Sequence, residues 1–312
     1  MAAGAEDSVP EQVRAACAWV ASRARFVQIE ETELPAYAAG MPSTAEPPPP
    51  DAATDLVEAD GETRAAFVIC LNAVNFGSGW WPTIRKRPGR SGYFTIAAGL
   101  TERFRERGPW PAAELSVIGA AEIAAVLDQD PDHPLLVDFA AALRDVGAHV
   151  EDEHGGRFAS VIEAANGSAA ALADLLAGWR AFADVSTYDG RSVPFYKRAQ
   201  IAAADAARAG LAFFADLGRL TAFADNLVPH VLRLDGVLSL DPDLEHRIEA
   251  GELLEHGSPE EVELRACAVH AVELLSNATR LSPAAIDAAL WNRGAAERYK
   301  SVPRPRSRNT AY

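Results

Sequence analysis

The stretch VPFYKRAQIAAADAARAGLAFFADLGRLTAFADNLVPHVLRLDG spans residues 193–236 and contains the helix signals and charges around which we interpret the rest of the chain. Pro194 is typical of a helix beginning, and Ser192 is available as its cap. Lys197 and Arg198 fall in the next turn, where two cations oppose the helix dipole at a cost of about 0.3–1 kcal/mol each. The pair predicts either an anion, such as a phosphate, at this helix start or two solvated surface cations.

The second half of this stretch contains a helix break. Pro229 disfavours helical backbone at Val228, so the preceding helical run should be interrupted near FADN, residues 223–226. An aspartate at such a break can direct its carboxylate into a pocket. Asp225 is therefore a candidate functional acid, with the alternative that Asp225 or Asn226 caps the helix that restarts at Pro229.

Several blocks along the chain follow one another in a characteristic order. They are FYKRAQ (195–200), TAFADNLVP (221–229), GSPEEVELR (257–265), ID (286–287) and LW (290–291), with looser matches in LNAVNF (71–76) and SGY (91–93). Over roughly residues 71–291 this order resembles the queuosine salvage protein family, the queuosine 5′-phosphate N-glycosylase/hydrolases. Five ordered blocks are far more specific than one short motif.

The resemblance implies a mainly α protein whose core is similar to DNA glycosylases. It also implies a hydrolase that cleaves the N-glycosidic bond of queuosine 5′-phosphate and releases queuine for salvage into tRNA modification. Cleavage of that bond builds positive charge on the ribose, so a carboxylate close to C1′ helps most in the transition state. Asp225 is the candidate for this role, in which it stabilises the cation, attacks C1′ or positions water.

The resemblance implies further site residues. Lys197 is the second catalytic candidate, because a nearby cation keeps a carboxylate ionised; it could instead bind the phosphate. Phe223 is expected to pack against ribose or base. The remaining candidates for substrate binding, most of them directed at the deazaguanine and its amine-bearing arm, are Glu261, Asp287, Trp291, Asn292 and Arg198.

Two of these assignments compete with structural alternatives. Ser258-Pro-Glu-Glu261 has the form of a capping box, so Glu261 could be occupied as the partner of Ser258. Asp287 and Trp291 lie four positions apart on one helix face, where an acid beside an aromatic plate suits a purine-like ring. The alternative for this pair is a surface aspartate beside a core tryptophan.

The chain departs from the family pattern near the proposed site. Asn226 and Leu227 stand where the family usually has an aromatic residue and an arginine, and His230 stands where glutamine is usual. Asn292 occupies a position that is often acidic, and the chain ends on one tyrosine where a pair is common. These changes bear on phosphate contacts and substrate preference, whereas both catalytic candidates are retained.

Composition limits the classes of partner. The chain has 312 residues, 49% hydrophobic and 23% charged, which is typical of a globular protein with a substantial core. No shift in composition divides residues 1–312, so a single domain is expected. The net charge of −15 argues against direct binding of duplex DNA or tRNA and leaves a small anionic substrate in a locally basic pocket.

Particular segments carry weaker predictions. The proline-rich segment 42–53 indicates a stiff loop, and residues 77–92, which include a basic cluster, indicate a small hairpin or loop. The basic tail, residues 301–312, is either disordered or folded back toward the substrate phosphate. Three unpaired cysteines, and no run long enough to span a membrane, predict a cytoplasmic protein without a membrane partner.

Alanine- and leucine-rich patterns predict most of the helices. They run from Ser8 to about Arg25, then over 94–107, 112–127, 135–149, 161–182 and 258–277, with a last helix opened by Ser282-Pro283. Ala65 to Phe76 is apolar enough to be core, and its Asn72 either orients substrate or is a satisfied core residue.

Common cofactor motifs are absent from the sequence. It lacks G-x-G-x-x-G, Walker, G-x-S-x-G and H-E-x-x-H patterns, and its histidines and cysteines do not have zinc spacing, so we expect neither cofactor nor metal. Two functions compete with the hydrolase. One is a non-catalytic binder or carrier of queuine or queuosine, and the other is a DNA-repair glycosylase, which rests on fold similarity alone.

Overall fold

The computed structural model describes residues 8–42 and 55–312, so most of the proline-rich segment 42–53 lies outside the described residues. The α-helices are α1 (Val9–Ala21), α2 (Leu34–Ala39), α3 (Gly61–Ala73), α4 (Gly92–Arg107), α5 (Ala112–Leu115), α6 (Ala120–Leu127), α7 (Pro134–His154), α8 (Phe158–Glu163), α9 (Ala169–Ala177), α10 (Lys197–Arg208), α11 (Val228–Leu234), α12 (Pro242–Glu249), α13 (Pro259–Thr279), α14 (Pro283–Arg293) and α15 (Glu297–Lys300). The strands are β1 (Val27–Ile29), β2 (Val185–Tyr188), β3 (Arg191–Pro194) and β4 (Leu238–Leu240). The prediction of a mainly α protein is confirmed.

The strands form two small antiparallel sheets. β1 pairs with β4, with Val27 opposite Leu240, and β2 pairs with β3 in a hairpin, with Val185 opposite Pro194. The hairpin ends where α10 begins, so it determines the position of the residues at the start of that helix.

Buried apolar side chains form two clusters. The first is built mainly from α3 to α9 and includes the alanine face of α10. The second surrounds α13 and includes side chains of α1, α11 and α14. Residues 65–73 of α3 are all buried, as the apolar pattern predicts. The loop between α10 and α11 contributes to both clusters, with Leu220 in the first and Ala224 in the second.

The predicted start of α10 at Pro194 is wrong. Residues 191–194 pair as a strand, and the helix begins at Lys197 after Tyr196, whose φ is 45°. The backbone N–H groups of Phe195 and Tyr196 donate to the Asp184 carbonyl at 2.9 and 3.3 Å. Because these long-range bonds hold the chain extended through Pro194, the local cap signal at Ser192 is not used.

Four other local predictions differ from the structure. The predicted helix over 112–127 is divided into α5 and α6. The hairpin considered for residues 77–92 is not formed, because this segment contains a short 3₁₀ helix and loop that pack against the C-terminal tail. The predicted helix over 161–182 is divided at Asn166 and Gly167, which both have positive φ. Ser8 makes no side-chain cap to α1, and its hydroxyl accepts a hydrogen bond from Arg219.

The C-terminal tail is folded into the protein. Ser307 is fully buried, and Tyr312 is 4% exposed. Leu254 N donates to Arg306 O at 2.8 Å, and Gly77 N donates to Tyr312 O at 2.9 Å. The alternative of a disordered tail is therefore wrong for residues 301–312. None of the helices within residues 8–42 and 55–312 is long and apolar enough to cross a membrane.

Helices α5 and α7 approach closely at Gly147. A Cβ at this position would lie 2.4 Å from Ser116 N and 2.7 Å from Leu115 C, so the contact admits only glycine. Gly61, at the start of α3, offers a contrast, because a Cβ there meets nothing within 4 Å.

Gly147→Ala should lower the free energy of unfolding by about 1–3 kcal/mol, because the added methyl group meets backbone atoms rather than a movable side chain. The control Gly61→Ala should leave that free energy unchanged or raise it by up to about 1 kcal/mol. Chemical denaturation of both variants measures the difference. Equal stabilities would contradict the close approach of α5 and α7.

Candidate active site

The sequence blocks that lie far apart along the chain meet around the loop between α10 and α11. Thr221 N donates to Gln200 Oε1 at 2.9 Å, which joins the second block to the first. Phe223 N donates to Asp287 Oδ1 at 2.9 Å, and Arg265 Nε donates to Ala224 O at 3.0 Å. Side chains of three separate helices thus hold the backbone of the residues that precede Asp225.

Asp225 is partly buried at the end of this loop. Its Oδ1 accepts hydrogen bonds from Leu227 N at 2.8 Å and Val228 N at 3.0 Å. The alternative that Asp225 caps the following helix is therefore correct for one carboxylate oxygen. These two hydrogen bonds orient the carboxylate group. They involve only Oδ1, so Oδ2 takes no part in the cap.

Lys197 lies in the first turn of α10 and is 6% exposed. Its ammonium group donates to Asn75 O at 3.2 Å, and within the described residues it forms no ion pair with Asp225. Burial lowers the pKa of Lys197 to about 8, an effect that the nearby negative charge of Asp225 partly opposes. The two catalytic candidates therefore interact electrostatically without direct contact.

Asp287, on α14, is the third charged member of this group and is 5% exposed. Burial raises the pKa of Asp287 well above its usual value, and the charge of Asp225 raises it further. The N–H of Phe223 and the charge of Lys197 act in the opposite direction. A carboxyl group in this environment keeps its proton to higher pH than a free aspartate does, which is the property required of a proton donor.

Arg265 is the main residue that the sequence reasoning missed. It is 1% exposed, and its Nη2 donates to Asp184 Oδ2 at 2.7 Å. Its Nη1 lies 3.7 Å from Glu261 Oε1, and its guanidinium stacks 3.9 Å from the ring centre of Phe195. Burial opposes the charge of Arg265, but the two carboxylates outweigh burial and raise its pKa. The available sequence signal was the spacing of Glu261 and Arg265, four positions apart on one helix.

Asp184 connects this arginine to the start of α10. Its Oδ2 also accepts from Lys197 N at 3.2 Å, so the anion expected at the helix start is a side chain of the protein itself. The prediction of a phosphate on these backbone groups is not supported by this arrangement. Arg198 also points elsewhere: it is 2% exposed, donates to Ala73 O and packs over the Phe76 ring at 4.9 Å.

Glu261 forms only half of the predicted capping box, and its role in binding the base stays a prediction. Its backbone N donates to Ser258 Oγ at 3.3 Å, as a capping box requires, but its carboxylate accepts from Gly257 N at 3.0 Å rather than from Ser258 N. Burial alone would raise the pKa of Glu261, and His256 and Arg265 outweigh it and hold the pKa below its usual value. The carboxylate is therefore a charged group that also lines a cavity beside Asp225.

The aromatic candidates Trp291 and Phe223 adjoin Asp287, because Trp291 lies on the same helix and Phe223 N donates to the Asp287 carboxylate. Trp291 is partly exposed and makes edge contacts with Tyr93 and Phe94, at ring-centre distances of 6.2 and 5.8 Å. Phe223 is also partly buried, against the first core cluster. Asn292 is exposed, so the structure does not bring it to the buried group around Asp225.

A small cavity lies between Asp225 and the C-terminal tail. Its volume is about 10 Å³, and its lining includes Glu261, Arg265, Pro305 and Tyr312. This volume is far below the roughly 300–1,000 Å³ of typical ligand pockets, so a whole nucleotide does not fit into the cavity in this conformation. A larger groove of about 520 Å³, beside β1 and His270, contains none of the predicted site residues.

Several curated proteins are similar to this chain. A queuosine 5′-phosphate N-glycosylase/hydrolase of Sphaerobacter thermophilus is 37% identical over 85% of this chain and 86% of its own length. Proteins with the same description from Dictyostelium discoideum and Bos taurus are 30% and 31% identical, over 80% and 59% of this chain and 79% and 57% of their own lengths. The family described as queuosine salvage protein matches residues 56–312.

The chain belongs to the queuosine salvage protein family. Two of the residues at which it departs from the family pattern, His230 and Leu227, pack within the protein. His230 is 1% exposed, its Nε2 lies 2.9 Å from Tyr299 O, and burial lowers its pKa to about 4. Leu227 packs against Gly294, where a Cβ would lie 2.9 Å from the leucine side chain.

Asn226, another departure from the queuosine salvage pattern, fixes the tail beside the site. Its Nδ2 donates to Pro305 O at 2.8 Å, and the residue is 6% exposed. No group of three or more His, Cys, Asp or Glu side chains within residues 8–42 and 55–312 is arranged to hold a metal ion.

Arg265→Met should lower the free energy of unfolding by about 3–5 kcal/mol, because it leaves the buried carboxylates of Asp184 and Glu261 without their cation. The control Arg157→Met removes an exposed arginine whose partner Glu163 is also exposed, at 3.5 Å, and should change stability by less than about 0.5 kcal/mol. Denaturant unfolding of both variants tests the prediction, which a loss below about 1 kcal/mol in Arg265→Met would contradict.

Proposed function

We propose that this protein hydrolyses the N-glycosidic bond of queuosine 5′-phosphate and releases queuine. The observation that carries the proposal is the burial of Lys197 and Asp287 near enough to Asp225 to interact with its charge, at the point where the family's sequence blocks meet. The curated relatives bear the description queuosine 5′-phosphate N-glycosylase/hydrolase. A nucleotide of this kind is a small anion, which agrees with a chain of net charge −15 that contains a local group of cations.

In the proposed reaction, the bond between C1′ and the base nitrogen breaks, and its electron pair leaves with the base. The oxygen of a water molecule bonds to C1′, one water proton is released, and the base gains one proton. Asp225 supplies negative charge opposite the ribosyl cation, where stabilisation is greatest in the transition state. Its backbone hydrogen bonds hold the carboxylate in place, so little reorganisation is needed as the charge develops.

Asp287 and Lys197 have separate roles in this proposal. The raised pKa of Asp287 suits a group that donates its proton to the departing base. Lys197 supplies a positive charge that interacts with the carboxylate of Asp225 and helps to hold it in the site. The base is held by Phe223, Trp291 and Glu261 in this proposal. Asn292 and Arg198 do not belong to the group that binds it.

Asp225→Asn should abolish release of queuine, by at least about 10³-fold, because the amide keeps the shape but not the charge. An amide oxygen still accepts the backbone hydrogen bonds of Leu227 and Val228, so folding should be retained. Asp60→Asn is the matched control, because Asp60 caps α3 by accepting from Thr63 N at 2.8 Å and lies outside the site.

The measurement is queuine release from queuosine 5′-phosphate, followed by mass spectrometry in the presence of a chelator. Undiminished release by the folded Asp225→Asn variant would overturn the assignment of Asp225. Tight binding of the nucleotide without turnover by the wild-type protein would favour the carrier function instead.

The pH dependence of kcat/KM should report the state of Lys197. Because its pKa is about 8, the rate should be level below that pH and fall about tenfold per pH unit above it. A lowered lysine pKa means that the unfolded chain binds more protons between about pH 8 and 10.5, so this group's contribution to stability rises with pH in that window. The titration of Lys197 therefore does not destabilise the fold in the pH range in which the rate falls.

Lys197→Met is the comparison for this profile. Its residual activity should be low and should lack the alkaline limb, while circular dichroism establishes that the variant is folded. A wild-type rate that stays level up to about pH 10, or a limb that persists in Lys197→Met, would contradict the role of Lys197.

A further inference from the structure

The C-terminal end of α3 binds both cations of the first turn of α10. Arg198 Nη1 donates to Ala73 O, and Lys197 Nζ donates to Asn75 O at 3.2 Å. Carbonyl groups at a helix C-terminus form the negative end of the helix dipole, so they favour nearby cations. The end of α3 therefore offsets the unfavourable position of Lys197 and Arg198 at the start of their own helix.

Two hydrogen bonds to Asn72 hold the carbonyl that binds Lys197. Asn75 N donates to Asn72 O at 3.3 Å, and Asn75 Nδ2 donates to Asn72 Oδ1 at 3.4 Å. Asn75 lies two residues beyond the last residue of α3, so helix geometry does not fix its backbone. The position of the Asn75 carbonyl therefore depends on these contacts with Asn72.

Asn72 is itself fixed by two further acceptors. It is fully buried, and its Nδ2 donates to Val68 O at 3.1 Å and to Asp205 Oδ2 at 2.9 Å. The side-chain amide thus uses both of its donor hydrogens, while its oxygen accepts from Asn75. Asn72 is therefore a satisfied core residue, which is one of the two alternatives that the sequence left open.

Asp205 closes the network, because it lies on the same helix as Lys197. The two residues are eight positions apart on α10, which is about 12 Å along the helix axis. Arg208 Nε donates to Asp205 Oδ1 at 3.4 Å, and Arg208 Nη1 pairs with Asp55 at 3.1 Å. Hydrogen bonds thus join α10 to the end of α3 at two points that are about two turns apart.

We propose that Asn72 and Asp205 are positioning residues for Lys197, which act by fixing the Asn75 carbonyl that accepts its ammonium group. The inference rests on the proposed function, because it takes Lys197 to be a catalytic group. A lysine side chain is flexible and loses much rotamer entropy when it is ordered. A fixed acceptor is therefore needed to hold its ammonium group in one position.

The hydrogen bond to Asn75 O also favours the charged form of Lys197. Burial lowers the pKa of Lys197 to about 8, and a carbonyl that accepts from the ammonium acts in the opposite direction. The charged groups that interact with this ammonium are Asp225, Arg198, Arg265, Asp184 and Asp287. A change at Asn72 leaves all of these charges in place, so a further fall in the pKa of Lys197 would report the loss of the fixed acceptor.

The test measures the pKa of Lys197 by carbon-13 NMR of protein labelled at lysine Cε. The chain has three lysines, and Lys197→Met identifies the signal of Lys197. Asn72→Leu removes the amide with little change in volume. The pKa of Lys197 should then fall by about 0.5–1 pH unit, because a hydrogen bond to a charged group is weakened. The exposed Lys86 and Lys300 should titrate as in the wild-type protein.

Two substitutions at Asp205 separate the hydrogen bond from the charge. Both remove the carboxylate charge, but only Asp205→Leu removes the acceptor for Asn72 Nδ2, since an amide oxygen replaces it in Asp205→Asn. Arg208 keeps Asp55 as its partner in both variants. Asp205→Leu should lower the pKa of Lys197 as Asn72→Leu does, whereas Asp205→Asn should leave it unchanged.

The same variants should slow the proposed reaction. In Asn72→Leu and Asp205→Leu, kcat should fall by about tenfold and KM should change by less than about twofold, because a misplaced group at the reacting atoms costs rate. The alkaline limb of kcat/KM should move to lower pH together with the pKa of Lys197. Ile69→Val removes one buried carbon from α3 and is the control for a loss of stability, so its alkaline limb should not move.

An unchanged pKa of Lys197 in Asn72→Leu and Asp205→Leu, with folding established by circular dichroism, would overturn the inference. Equal falls in Asp205→Leu and Asp205→Asn would do the same. The NMR titration requires no turnover, so it separates this inference from the proposed function. If the pKa falls as expected but the wild-type protein releases no queuine, the hydrolase proposal fails and the positioning of Lys197 stands. If queuine is released and Lys197 titrates alike in all these variants, the positioning fails and the hydrolase proposal stands.

Discussion

The requirement to neutralise one buried guanidinium organises the site. Arg265 is almost without solvent contact, so its charge must be balanced within the protein. Its partners are Asp184, directly before β2, the carbonyl of Ala224 and the carboxylate of Glu261. These partners come from three regions that are distant in the chain, so their positions relative to one another depend on this side chain.

The same charge balance explains why a cationic helix start is stable without a ligand. Asp184 accepts the backbone N–H of Lys197 while it pairs with Arg265, so one carboxylate serves both the helix dipole and the arginine. The ammonium of Lys197 is thereby directed toward Asn75 and the charge of Asp225. Asp225 therefore lies among charges whose positions are set by the fold.

The C-terminal tail completes the surroundings of this loop. Pro305 and Tyr312 form one wall of the small cavity, and Asn226 ties the tail to the residue that follows Asp225. A close contact at Gly79, where a Cβ would lie 2.1 Å from Ser307 O, shows how tightly the tail is packed against the preceding loop. The size of the cavity therefore depends on the last twelve residues as much as on the helical core.

The sequence by itself determined the mainly α architecture, the starts of α13 and α14 at Ser258 and Ser282, and the blocks from which the site is built. These features depend on caps and periodicities within a few residues, or on resemblance to a family. Only the tertiary structure decided that Arg265 connects Asp184, Ala224 and Glu261, and that Arg198 is a core residue. It also decided that α10 begins after a strand and that the tail reaches the site. Each of these outcomes depends on which distant group pairs with a buried charge or with a buried backbone N–H or C=O group. Local sequence patterns do not identify that partner.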